Sequence, residues 1–146
     1  MARFSGGAKT TNAGSTTLPL IALHAAAGSG GTLREIGIFN TTAVAADYKL
    51  VRLTTAGTPG STITVDKQNP NLQAAACVLA QSYSSTAPTT ADLGYRGSLG
   101  AAIGAGIIWT FGADGLVIPA AVANGVGIVV ENGTGQIVQA YFVWDE

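Results

Sequence analysis

Charge is what this chain has least of. Asp, Glu, Lys and Arg make up 10% of its 146 residues, where about a quarter is usual for a soluble domain. The apolar share, 47%, is ordinary, so Gly, Ser, Thr, Ala and Asn stand where charges are missing. A free monomer usually needs a charged, mixed surface. A chain without one is suited to keeping surface against other protein. Net charge is -1 and the seven basic residues are scattered from Arg3 to Arg96. That excludes the basic footprint of a nucleic-acid binder and a polybasic membrane patch.

Cysteine is nearly absent too. Cys77 stands alone, which excludes an intrachain disulfide and a cysteine-based metal site within one chain. Its neighbours Ala74, Ala75, Ala76, Val78 and Leu79 mark it as a buried small hydrophobe. Met1 to Gly7 lacks the apolar segment of a secretory signal. The Asn40-Thr41-Thr42 and Asn132-Gly133-Thr134 triplets, which match a glycosylation pattern, therefore read as turns. Long apolar runs are missing as well. Gly97 to Ala113 is uncharged and holds Gly100 and Gly104 at a membrane-helix packing interval. It is poor in large aliphatics, and Asp114-Gly115, Pro119 and Asn124-Gly125 interrupt it before a span of about 20 apolar residues accumulates. No membrane segment is expected.

Chemistry-bearing patterns are equally scarce. His24 is the only histidine, no Gly-x-Ser-x-Gly elbow accompanies it, and it reads as structural. Eight carboxylates are present, enough in number for a glycosidase pair. Asp114 sits in a turn dipeptide and Glu131 abuts one, which explains both without catalysis. The Asp-x-Asp-x-Asp-Gly spacing of a calcium loop is missing. Gly104-Ala105-Gly106 has Trp109 where a dinucleotide fingerprint needs glycine. The expectation is no enzyme, no metal and no cofactor.

What is present is a β pattern. Short apolar or β-branched runs recur: Leu18 to His24, Leu33 to Phe39, Tyr48 to Thr54, Ser61 to Val65, Ile107 to Phe111, Leu116 to Ile118, Val126 to Glu131 and Gln136 to Trp144. Asp114-Gly115, Asn124-Gly125 and Asn132-Gly133 supply the positive φ angles of tight turns. Such spacing predicts an antiparallel sandwich or barrel. In Tyr48 to Thr54, Lys49, Val51 and Leu53 share one face, and Tyr48, Leu50 and Arg52 the other. The Ala-rich stretch Leu72 to Tyr83 could be helix by propensity, but its β surroundings favour a strand. Gly94 to Gly106 carries no clear assignment. Residues 1–17 hold one large apolar side chain beyond Met1, Phe4, and read as a polar arm.

The last run has two apolar faces. Ile137, Gln139, Tyr141 and Val143 lie on one, and Val138, Ala140, Phe142 and Trp144 on the other. That suits a central strand, or one whose second face meets a partner subunit. Trp109 and Trp144, inside apolar runs, suit core or interface packing.

Several stretches together carry a resemblance: Thr16-Thr17-Leu18-Pro19, Leu33 to Thr42, Leu50 to Thr58, Gly106 to Gly112, Asn124 to Ile128, Gly133 to Gln136 and Ala140 to Trp144. Together they resemble the capsid decoration, or head cement, proteins of tailed bacteriophages, of the small β-sandwich type. The resemblance spans nearly the whole chain after the arm. It implies a structural protein on the capsid exterior of a virion, homo-oligomeric and typically trimeric. Its partner would be the major capsid protein, gripped partly through an extended N-terminal arm, with no cofactor.

The expectation is thus an all-β protein, an antiparallel β-sandwich, jelly-roll-like, with an arm over 1–17 and one domain over 18–146. The strand pattern by itself leaves jelly-roll and immunoglobulin-like connectivity both open. Arg3, Phe4 and Lys9 are the candidate capsid contacts, on an arm that should be removable through residue 12 with the fold intact. Tyr141, Val143 and Trp144 are the candidates for a subunit interface. The alternative reading is a tail or other virion module for adhesion or carbohydrate binding.

Overall fold

Twelve strands and no helix make up the chain in a computed structural model that describes residues 1–146. In order they are β1 (Arg3–Lys9), β2 (Ile21–His24), β3 (Gly31–Asn40), β4 (Ala46–Leu53), β5 (Ser61–Thr62) and β6 (Val65–Lys67). Then follow β7 (Val78–Gln81), β8 (Thr90–Leu99), β9 (Gly106–Thr110), β10 (Leu116–Ile118), β11 (Gly125–Asn132) and β12 (Val138–Asp145). The expected all-β antiparallel sandwich is what forms. The first sheet runs β10-β3-β12-β1-β6, with β9 also on β3. The second runs β5-β7-β2-β11-β4-β8.

Between the sheets lies a core of 25 buried residues. The first sheet contributes Phe4, Ile36, Ile38, Phe142 and Trp144, and the second Ile21, Leu23, Tyr48, Leu50 and Ile128. Period-two alternation puts these side chains inward, and each fully buried large one stabilises the fold by about 1.5–3 kcal/mol. A smaller cluster sits on the outside of the second sheet: Ala22, Val51, Leu53, Ala80, Tyr83 and Val129, with Leu18 packed on it. The two faces expected for Tyr48 to Thr54 therefore both exist. Tyr48 and Leu50 join the main core, and Val51 and Leu53 the outer cluster.

The N-terminus departs from expectation. Residues 3–9 are not an arm but a strand inside the first sheet, paired from Arg3↔Asp145 to Lys9↔Gln139 on one side and with β6 on the other. Phe4 is 1% exposed and stacks on Trp144, ring centroids 5.9 Å apart. The stretch looked like an arm because its glycines hid its packing: Gly6 is buried in the strand beside Leu79. Residues 10–20 are also held. Thr10 donates its N–H to Val138 O, Ser15 O accepts from Val130 N–H, and Leu20 N–H reaches Ile128 O.

Three further segments differ. The β-branched run from Ser61 changes sheet partway: β5 pairs β7 in the second sheet and β6 pairs β1 in the first. Of Leu72 to Tyr83, only Val78–Gln81 is strand. Residues 69–77 form a loop, because Glu146 takes the N–H groups of Ala76 and Cys77 with its carboxylate, at 2.7 and 3.0 Å. The unassigned stretch holds most of β8, an edge strand whose register on β4 slips between Lys49 and Val51. That slip interrupts the alternation that would have announced it.

Candidate interaction surfaces

The few charges are confined to the strands. Of the seven basic and eight acidic residues, only Asp114 and Glu146 lie outside one. Seven of the fifteen are also paired with one another within the chain. Arg3 holds both oxygens of Asp145, Nε to Oδ1 at 2.7 Å and Nη2 to Oδ2 at 3.0 Å. Arg34 Nε donates to Oδ2 at 2.6 Å. The Asp145 side chain is 6% exposed, and its hydrogen bonds from Arg3, then those from Arg34, hold its carboxyl below the ordinary carboxylate value. On the second sheet, Arg96 bridges Asp92 and Glu131, and Lys49 approaches Asp92 at 3.7 Å.

Loops at both ends of the sandwich are consequently bare of charge. At one end stand residues 41–45, 100–105 and 133–137, at the other 25–30, 54–60, 84–89 and 119–124. The first end is cross-braced. Asn40 Nδ2 donates to Gly100 O at 2.9 Å and to Val44 O at 3.1 Å. The Asn40 carbonyl accepts from Gly104 N–H. Thr41 Oγ1 donates to Ile137 O at 2.6 Å, and Thr42 Oγ1 to Gln136 Oε1 at 3.1 Å. On this framework Val44 is 49% and Ile103 75% exposed.

The outer face of the first sheet is the second surface. Alternation directs Ser5 and Gly7 of β1, Gln139, Tyr141 and Val143 of β12, Gly37 and Phe39 of β3 and Ile108 of β9 to this side. Two rings lie along it. A Cβ at Gly37 would collide with the Tyr141 ring, and one at Gly106 with Phe39, so these glycines are the floor on which the rings rest. The rings are near-parallel, 15° apart with centroids separated by 6.4 Å. Tyr141 Oη donates to Glu35 Oε1 at 2.5 Å. Burial, then that carboxylate, pushes the phenol up to about 12.

The six residues singled out in the sequence divide accordingly. Tyr141 and Val143 are half-buried on the outer face. Trp144 is not: it is fully buried between the sheets with its indole N–H on Glu146 Oε1 at 2.8 Å, because its parity is that of Phe142. Phe4 is likewise core, not capsid contact. Arg3 is half-exposed but committed to Asp145. Lys9 is exposed at the end of β1. Sequence reasoning missed Phe39 and Ile108, whose place follows from the alternation of β3 and β9. It also missed Val44 and Ile103, for which only the lack of charge around them was a signal.

A groove of about 400 Å³ opens at the sandwich edge between Val65 of β6 and Val78 of β7, with Cys77 in its wall. Burial, then the Glu146 carboxylate, raises the Cys77 thiol to about 12, which makes it inert as a nucleophile. Comparison with protein-family models, curated proteins and solved structures gives no match.

Proposed function

We propose that this chain is a structural virion subunit, a tailed-phage head decoration protein that oligomerises, as a trimer, and stabilises the capsid from outside. The observation that carries this reading is the placement of charge. All but two of the few charges lie on strands, and about half of them pair with one another, so the loop ends are left neutral. A neutral, cross-braced surface has little desolvation and ordering cost when it docks on protein. Many weak copies bound around a shell then hold by multivalency. The nested strand order supports it. β1 with β12, β2 with β11, and β3 and β4 inside them follow the order we read as jelly-roll, an architecture common in capsid and lectin domains. That likeness is one of fold and does not carry function alone. Tyr141 and Val143 would meet a neighbouring subunit, and the major capsid protein would meet the loop end bearing Val44 and Ile103.

The test is co-sedimentation of purified protein with phage heads stripped of decoration, with light scattering of the free protein. Saturable binding to heads and a mass above the monomer are expected. Absence of head binding overturns the reading. A second reading, adhesion to glycans from a tail, is favoured by the parallel Phe39 and Tyr141 rings, since aromatic faces stack on sugars. Antibody labelling of tails rather than heads would select it.

A further inference from the structure

The only histidine is buried in the small outer cluster and not in the main core. His24 is 7% exposed and Tyr83 2%. His24 Nε2 and Tyr83 Oη form a hydrogen bond, while His24 Nδ1 is buried with no partner. With no acceptor bonded to Nδ1, the surroundings favour the neutral imidazole over a ring carrying two N–H groups.

Its surroundings hold no compensating charge. In register with it are Val78 of β7 and Gly125 of β11, and beyond Gly125 lies Leu53 of β4. β7 carries no titratable group, and Cys77 just before it packs into the main core. The charged groups of the neighbouring strands include Lys49 and Glu131, which join Asp92 and Arg96 of β8 in the network already described. Asp47 lies at the far end of β4, and Arg52 donates to Val117 O at 2.8 Å. Tyr83 is the one titratable side chain bonded to His24, and burial raises its phenol, so it stays neutral.

Tyr83 is delivered under tension. Ser82, just before it, is the only non-glycine residue at positive φ, +63°, a backbone state held only where the surroundings enforce it. The segment from Thr11 to Leu18 straps this place down. Thr11 bonds through its hydroxyl to Ser82 and through its N–H to Gln81 Oε1 at 3.3 Å. Asn12 Nδ2 reaches Tyr83 O at 3.5 Å, and Leu18 packs on the outer cluster. A strained turn, a strap and an unpartnered imidazole nitrogen thus meet at one contact.

We propose that the His24–Tyr83 contact is an acid-sensitive latch, whose protonation releases the Thr11–Leu18 strap and the Ser82–Tyr83 turn while the two-sheet core stays folded. An imidazolium must find a partner for Nδ1–H or reach water. Reaching water means lifting Tyr83 and the strap bonded to Ser82 and Tyr83. This holds whether or not the chain decorates a capsid.

Amide hydrogen exchange on the full chain at about pH 7.5 and about pH 5, corrected for intrinsic rates, tests it. Protection should fall at least tenfold at residues 11–18 and 82–84 at the lower pH and stay unchanged in β3 and β12. In His24→Gln, which cannot take the proton, the difference between the two pH values should vanish. Equal protection at both pH values, the same fall in His24→Gln, or simultaneous loss across both sheets would overturn the latch. Should His24→Gln fail to fold, an NMR titration of the wild-type chain decides. The imidazole signals and the strap amides should titrate with one midpoint, below about 6.5. Separate midpoints would overturn it.

Discussion

At the residue scale, His24 and Asp145 respond to acid in different pH ranges. Burial lowers the pKa of His24, so below about 6.5 the unfolded chain binds a proton that the folded chain refuses. Stability contributed by neutral His24 is present above that range and declines as pH falls through it. Asp145 works lower. Its hydrogen bonds from Arg3 hold the carboxyl down, so its contribution is present above about 3.9, the unfolded value, and is lost as pH falls further. Chemical unfolding across pH should therefore show two declines, and His24→Gln should remove only the upper one. Asp145→Asn leaves two guanidinium groups facing an amide, and should cost about 2 kcal/mol at neutral pH, read from the denaturant midpoint.

Gly37 gives a test whose sign opposes propensity. Valine is a better strand former than glycine, yet its Cβ would strike the Tyr141 ring. Gly37→Val should destabilise by about 1–3 kcal/mol by thermal unfolding. A stabilised variant would mean the ring does not rest on the sheet.

At the scale of elements, the N-terminal strand matters most. Removing residues 1–12 takes away β1, leaves the edge of β12 unpaired and uncovers Trp144. The truncated chain should lose cooperative unfolding and its near-ultraviolet dichroism. A native-like spectrum would restore the idea of a dispensable arm. Why this strand was illegible while β12 was plain is a matter of side chains. β12 alternates large residues, so its two faces read directly. β1 has Phe4 as its single large apolar side chain, and pairs through a backbone whose glycines give no hydropathy signal. β8 was hidden by its register slip, and β5 and β6 by a single β-branched run that serves two sheets. The same alternation made Tyr141 and Val143 findable. It also assigns Trp144 to the core, since a central strand of one sheet in a sandwich can turn only one face to solvent.

For the whole molecule, the distribution of charge makes a prediction about solution behaviour. Surfaces without charge gain nothing from long-range attraction, so salt should matter little to them. Self-association and head binding should change less than about threefold between ~0.05 and ~0.5 M salt, measured by sedimentation. A weakening of about tenfold or more would assign the contacts to Lys9, Asp66 and the other charges left on strands.

The pairing of β1 with β12 extends to the last residues: Ala2 N–H donates to Glu146 O, and Glu146 N–H to Ala2 O, each at 2.8 Å. The chain thus begins and ends at one corner, and β12, eight residues long, carries that corner about 25 Å from the loops around Val44 and Ile103. A passenger polypeptide joined to either terminus would emerge from the same spot, pointing away from the loops around Val44 and Ile103. A short linker could likewise close the chain into a ring, with new ends opened in an exposed loop at little cost to the sandwich.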